Sequence, residues 1–283
     1  YIDQYFRIMA KQFGKKTYLP EHLYGFYVGS DLGTSLDKKI YERYSGEITE
    51  NDVKNAINAI KNRLCGKYSK SNLGFYMLDN EVDPSIDIKP KFHGKKNIIY
   101  FLHAFTDAPN VDLSSNEDMC YVDHYHFFLS FHDTFKEIED VNIYIKPHPS
   151  HERYPGDGVF FKKVLEVCEN SSNFYLMPSN LTIGSLFGQD INESLYCLSG
   201  YGSVTVECAY LGYTVINYKS CIYTEFGLSK FIKTPEEIRS FLGSGNRNPK
   251  SANGRDLAIS VEAFKIWGAR QHIFSAAELS EEE

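Results

Sequence analysis

The stretch VNIYIKPHPSHERYPGDGVFFKKVLEVCEN, Val141 to Asn170, decides the fold. It opens on a short apolar run, passes through a loop broken by Pro147, Pro149 and Pro155, and ends in an amphipathic segment from Gly158 to Asn170. Strand, loop and helix in that order predict one turn of a wound sheet. The same rhythm continues on both sides. NIIYFLHAF (97–105) reads as a strand and NEDMCYVDHYHFFLSFHDTFKEI (116–138) as a helix. NFYLMP (173–178) and SLYCLSG (194–200) are strands, GSVTVECAYLG (202–212) a helix, and TVINYKS (214–220) a further strand. TPEEIRSFL (234–242) and RDLAISVEAFKIWGARQ (255–271) close the series as helices. Strands apolar on both faces, alternating with helices, predict an α/β fold with a parallel sheet and right-handed crossovers. In such sheets ligands bind beyond the carboxyl ends of the strands, so the loops after the strands are the places to look for chemistry.

The first 90 residues read mostly as helix and loop. ITENDVKNAINAIKNRLCGKY (48–68) sets Ile48, Val53, Ile57, Ile60 and Leu64 on one stripe, with Thr49 or Asn51 as N-cap and Gly66 past the end. The aromatic-rich segments HLYGFYVGSD (22–31) and LGFYMLDNEVDPSID (73–87) read as loops, and KPKFHGKK (89–96) as a linker. The domain boundaries expected are a helical and loop portion over 1–94, a wound sheet over 95–245 and a helical segment over 246–283. The chain opens at Tyr1 without Met, in what reads as mid-helix, and the expectation is that an upstream portion precedes it.

Composition limits the function. With 283 residues, 42% hydrophobic and 24% charged, the chain is long enough for one large or two ordinary domains. It has no apolar run near the length of a membrane span. Its formal charge of -7 and scattered Lys and Arg argue against a general nucleic-acid binder, while leaving room for a local basic pocket. The six cysteines form no CxxC pair, and several sit in apolar runs; a reducing, cytoplasmic setting is expected, with peripheral membrane association still open.

Four strand-end loops carry the candidate residues. In HAFTDAPN (103–110), Asp107 is placed to take a proton from a hydroxyl, or equally to cap the loop. In KPHP, Pro147 and Pro149 fix their own φ and push Lys146 and His148 toward extended backbone, so the imidazole direction is set largely by the chain. Such an imidazole can donate to a departing phosphate oxygen, with Lys146 on the same side adding charge; the plain alternative is a strand-ending turn with a surface histidine. In SGYGS, Ser199, Gly200, Tyr201, Gly202 and Ser203 form a glycine turn into a helix, a geometry that admits an anion, and Glu207 one turn later is placed to reach ribose hydroxyls. The alternative there is an ordinary turn capped by Ser203. In LMPSNLTIGSLFGQDINES (176–194), Pro178 and Ser179 could border a base, against a simple connection with a short helix, and Asp190 and Glu193 are expected to face solvent. His124 and His126 lie at i and i+2 of a helix, facing different ways, which argues against a metal pair. No GxSxG elbow is present, which disfavours serine hydrolysis.

Together, IKPHP, SGYGSVTVECAYLGYTVI (199–216) and IYTEFGL (222–228) resemble the donor-binding half of bacterial capsule and surface-polysaccharide glycosyltransferases of the GT-B fold, over roughly residues 95–245. The likeness is nearest to enzymes using CMP-activated sugars, the β-Kdo transferases among them, and looser to sialyltransferases with their His-Pro and serine motifs. It implies a GT-B-like, Rossmann-type donor domain with an incomplete, mainly helical N-terminal portion. It also implies that His148 and Pro149 form the His-Pro motif, Ser199 to Ser203 the phosphate turn and Glu207 the ribose contact, with Asp107 as base. The partners expected are a nucleotide sugar, CMP-linked for preference, and a glycan or glycolipid hydroxyl. No cofactor is expected, and no metal, because no DxD stands in a strand-end loop. The alternatives are a CDP-glycerol-type polyol-phosphate transferase, a nucleotide-sugar epimerase, or a non-catalytic nucleotide-binding fragment.

Overall fold

A computed structural model describes residues 17–21, 25–29, 38–67, 95–105, 120–121, 123–149, 151, 156–187, 195–200, 202–219, 221–244 and 253–270. Six strands form one parallel sheet: β3 (Lys96–Phe101), β4 (Val141–Lys146), β5 (Phe174–Leu176), β6 (Leu195–Ser199), β7 (Thr214–Asn217) and β8 (Lys230–Phe231). Their spatial order is β5-β4-β3-β6-β7-β8, every neighbouring pair parallel. Chain order runs outward from β3 to one edge and then restarts at β6 toward the other. That is the doubly wound Rossmann order, and it puts a topological switch point between β3 and β6.

The alternation of side chains along each strand sorts the core into two layers. From β3, Ile99 and Phe101 enter one layer and Ile98 and Tyr100 the other. The first layer is covered by α2 (Glu50–Leu64), α5 (Ile183–Phe187), α6 (Val204–Tyr210) and α9 (Gly254–Arg270), with α1 (Lys38–Tyr44) at its margin. The second is covered by α3 (His124–Phe135), α4 (Asp157–Asn170) and α8 (Pro235–Gly243). Phe127, Phe128, Phe131 and Phe135 of α3 are all fully buried there, the first three against Tyr100, Phe127 also stacked on Tyr218, and Phe135 against Phe131. Much of the aromatic content is therefore core. A short α7 (Ile222–Glu225) follows β7.

The N-terminal portion departs from the helix-and-loop expectation. Thr17–Glu21 (β1) and Gly25–Gly29 (β2) pair antiparallel, the second within a segment read from sequence as loop. Tyr, Phe and Val favour extended backbone, and Pro20 sits in a strand whose sheet has two members among the described residues, so edge rules apply. Helix α2 matches its reading at both ends, but of the expected stripe only Ile60 and Leu64 are buried, with Ile48, Val53 and Ile57 half-buried. Thr49 is the N-cap, in a capping box with Asp52, and Gly66 beyond the end has φ 72°. Its most buried line is Asp52, Ala56, Ile60 and Leu64, and it packs on α9 and α6. All six cysteines are free thiols. Among the described residues no helix is long and apolar enough to cross a membrane.

Candidate functional site

The carboxyl ends of β3, β4, β6 and β7 converge on basic side chains. His103 follows β3; Lys146 and His148 end β4; Lys219 follows β7; His124 opens α3. The His103 and His124 rings stack with centroids 4.6 Å apart and 21° between planes, and His103 lies 6.1 Å from His148. His103 Nδ1 is 3.0 Å from the Ala104 carbonyl. His124 is buried, with Nδ1 2.8 Å from the Tyr218 hydroxyl. Burial, then His103 and Lys219, hold the His124 imidazole well below its ordinary pKa, so it is neutral.

His148 is tied to His151 through its main chain. Its carbonyl accepts from the His151 amide and approaches His151 Nδ1, each at 3.0 Å, and the His151 ring packs 4.3 Å from Phe161. Burial, His103, Lys146 and His151 together lower its pKa to about 3. Burial acts first, and the side chains whose charges also act on His148 are all basic, so basic residues gather here although the chain is acidic overall. His148 is accordingly a neutral hydrogen-bond donor rather than a charge.

Lys146 is 4% exposed. Its Nζ donates to the carbonyls of Pro147 at 3.2 Å and Ser179 at 2.7 Å. Ser179, anticipated at this site, thus meets it through its main chain. Burial brings the Lys146 pKa down to about 7.

The glycine turn after β6 closes the other side of the switch point. Asn217, fully buried, donates through Nδ2 to the carbonyls of Ser199 at 3.1 Å and Gly200 at 3.3 Å and so pins the turn. A Cβ on Gly200 would stand 2.7 Å from His124 Cε1 and 2.9 Å from the Tyr218 hydroxyl, so only glycine fits. Gly202 has φ 124°, which disfavours any other residue. Ser203 precedes α6 without a side-chain cap; its hydroxyl bonds Glu207 instead.

Glu207 is the residue whose surroundings differ most from expectation. One turn past Ser203, its carboxylate is buried and accepts from Arg63 Nε at 3.0 Å, while Arg63 Nη1 donates to Glu262 at 2.7 Å. In this arrangement the carboxylate is committed to an ion pair joining α2, α6 and α9, not turned outward toward a ribose. Asp107, Tyr201, Asp190 and Glu193 lie outside the described residues. His126 is exposed beside Asp123 while His124 is buried, so the two point apart as their spacing requires. Sequence reading did not assign roles to His124, Tyr218, Asn217 or Arg63; their partners come from other elements. A separate cleft of about 670 Å³ lies along α3 and α8, lined by Asp133, Glu137, Glu236 and Arg239, and its acidic cast is the opposite of the strand-end cluster.

No family model matches the chain, and no curated protein matches it. Among solved structures, the chain is similar to the Methanocaldococcus jannaschii UDP-GlcNAc 2-epimerase in complex with UDP-GlcNAc and UDP, with TM-score 0.42 and 14% identity over 83% of this chain and 60% of that one. It is similar to the Neisseria meningitidis UDP-GlcNAc 2-epimerase bound to UDP-GlcNAc, with TM-score 0.38 and 14% identity over 80% and 58%. The glycotransferase of kitacinnamycin gives TM-score 0.34 and 12% identity over 74% and 48%. The chain spans about half the length of the solved structures it matches. The strand order itself defines the fold.

Proposed function

We propose that this chain is the nucleotide-binding part of a nucleotide-sugar enzyme, its ligand phosphate lying across the switch point between β3 and β6. The observation that carries the reading is the gathering of His103, His124, Lys146, His148 and Lys219 at one end of a parallel sheet, beside the Ser199 to Ser203 turn. A switch point lined by basic groups suits an anion, and a chain of charge -7 has few other reasons to concentrate them.

Within that class the reading is a glycosyltransferase of surface-polysaccharide assembly, with CMP-Kdo or a similar sugar as donor and a glycan hydroxyl as acceptor. The hydroxyl attacks the anomeric carbon and the bond to the nucleotide phosphate breaks. His148 donates a hydrogen bond to the leaving oxygen, Lys146 supports the phosphate, and the Ser199, Gly200, Gly202 and Ser203 turn borders it, with Pro149 fixing the imidazole and Asp107 receiving the acceptor's proton. Glu207 contributes to nucleotide binding by fixing α6 beneath the turn.

A thermal-shift titration with CMP, CDP, UMP, UDP and GDP tests the reading, because a ligand of the folded state raises stability by RT ln(1 + [L]/Kd). A CMP-selective rise supports the CMP-sugar transferase; UDP selectivity replaces it with an epimerase or another nucleoside-diphosphate enzyme. No rise with any nucleotide contradicts nucleotide binding by this chain.

A further inference from the structure

Lys146 is an amine in an unusual setting. It is buried at the end of β4, and among the described residues its partners are two backbone carbonyls and no carboxylate. A neutral amine has two N–H groups, and those two carbonyls satisfy both. An ammonium has three, and its third would lack an acceptor inside the fold. The structure therefore matches the unprotonated amine, consistent with a pKa brought down to about 7 by burial. The groups around it do not restore the charge. His148, on which Lys146 acts, is basic, and Tyr144, two residues back on the same face of β4, has its hydroxyl pKa pushed up to about 12.

A phosphate changes both terms. Its oxygen supplies the missing third acceptor, and its negative charge favours the ammonium. We propose that a phosphate dianion binds at this strand end together with one proton, taken from solvent onto Lys146 Nζ, so that ligand charge is neutralised only when ligand is present. The inference rests on the nucleotide reading above and specifies how that site handles charge. No covalent bond changes: the lone pair on Nζ receives the proton, and the resulting N–H donates to the phosphate. Above the pKa of the free site, affinity then falls about tenfold per pH unit until the pKa of the bound site is reached.

The test is calorimetry of CMP and UDP binding at pH 8 in buffers of different ionisation enthalpy, with the wild-type chain, Lys146→Arg and Lys146→Met. Phosphate is already dianionic at that pH, so its own titration adds little. The wild type is expected to take up close to one proton per nucleotide. Lys146→Arg, charged throughout, is expected to bind without uptake, and Lys146→Met, which removes the buried amine at similar length, to bind more weakly and also without uptake. Nucleotide binding without proton uptake in the wild type, or uptake that persists in Lys146→Met, overturns the inference and leaves the nucleotide reading standing. Failure of the wild type to bind either nucleotide overturns both.

Discussion

His124 Nδ1 and the Tyr218 hydroxyl meet at 2.8 Å directly under Gly200, so the first turn of α3, the end of β7 and the turn after β6 are fastened at one point. Both rings are buried and both pKa values are driven toward the neutral form, by burial first in each case. The His103 ring stacks on this pair and faces His148. The positions of the strand-end imidazoles thus depend on a packed arrangement, not on loops alone.

Gly200→Ala tests that dependence. The added methyl collides with two buried rings that have no room to retreat, and overpacking of this kind costs about 1–3 kcal/mol. Urea unfolding is expected to show that loss, and nucleotide affinity to fall with it; an unchanged midpoint would mean the rings are free to move.

Arg63 bridges Glu207 and Glu262 across α2, α6 and α9. Burial opposes its charge, but Glu262 and Glu207 outweigh burial and raise its pKa. Arg63→Met takes the cation from buried Glu207 and leaves Glu262 with Lys265 at 3.6 Å, and breaking a buried pair costs about 3–5 kcal/mol in comparable settings. Unfolding of Arg63→Met, with Glu207→Gln added in a double variant, measures the coupling. Recovery of part of the loss in the double variant is expected, and strict additivity would contradict a shared ion pair.

Lys146 makes a pH prediction whose sign follows from its partners. Its folded pKa is about 7 against an ordinary 10.5, so between these values the unfolded chain holds more protons than the folded one. Stability then rises with pH across that window, by about a tenfold change in the folding equilibrium per unit. His148, at about 3 against 6.5, acts in the same direction lower down, its contribution complete above about pH 6.5 and lost as pH falls toward 3. The stability of wild type relative to that of Lys146→Met is expected to rise as pH goes from 7 to 10; a pH-independent difference would show that the amine is ordinary.

The alternation of strands and helices was legible from residue 97 onward because β3, β4 and β6 are buried on both faces and read as continuous apolar runs. β8 is only two residues long and α5 and α7 are four or five, too short for any period to declare itself. The β1–β2 hairpin was missed because aromatic residues near glycines read equally as loop. Within the site, the fixed backbone of Pro147-His148-Pro149 was a local signal and was read. The His103–His124 stack was not, since it requires α3 to begin beside the end of β3. Nor was the fate of Glu207, whose cation lies 144 residues earlier in the chain. The switch point itself follows only from strand order, which no local pattern encodes.

The central claim, that a nucleotide phosphate binds at the His148 end of β4, is tested most directly by the calorimetric Kd of CMP and UDP for wild type and His148→Ala, read beside their unfolding midpoints. A hydrogen bond to a charged group contributes about 1.5–3 kcal/mol, so the nucleotide that wild type binds is expected to bind His148→Ala roughly tenfold to a hundredfold more weakly, with the midpoint moved by only a few degrees. Equal affinity in the two proteins would contradict the claim and leave His148 as the residue that ends a strand.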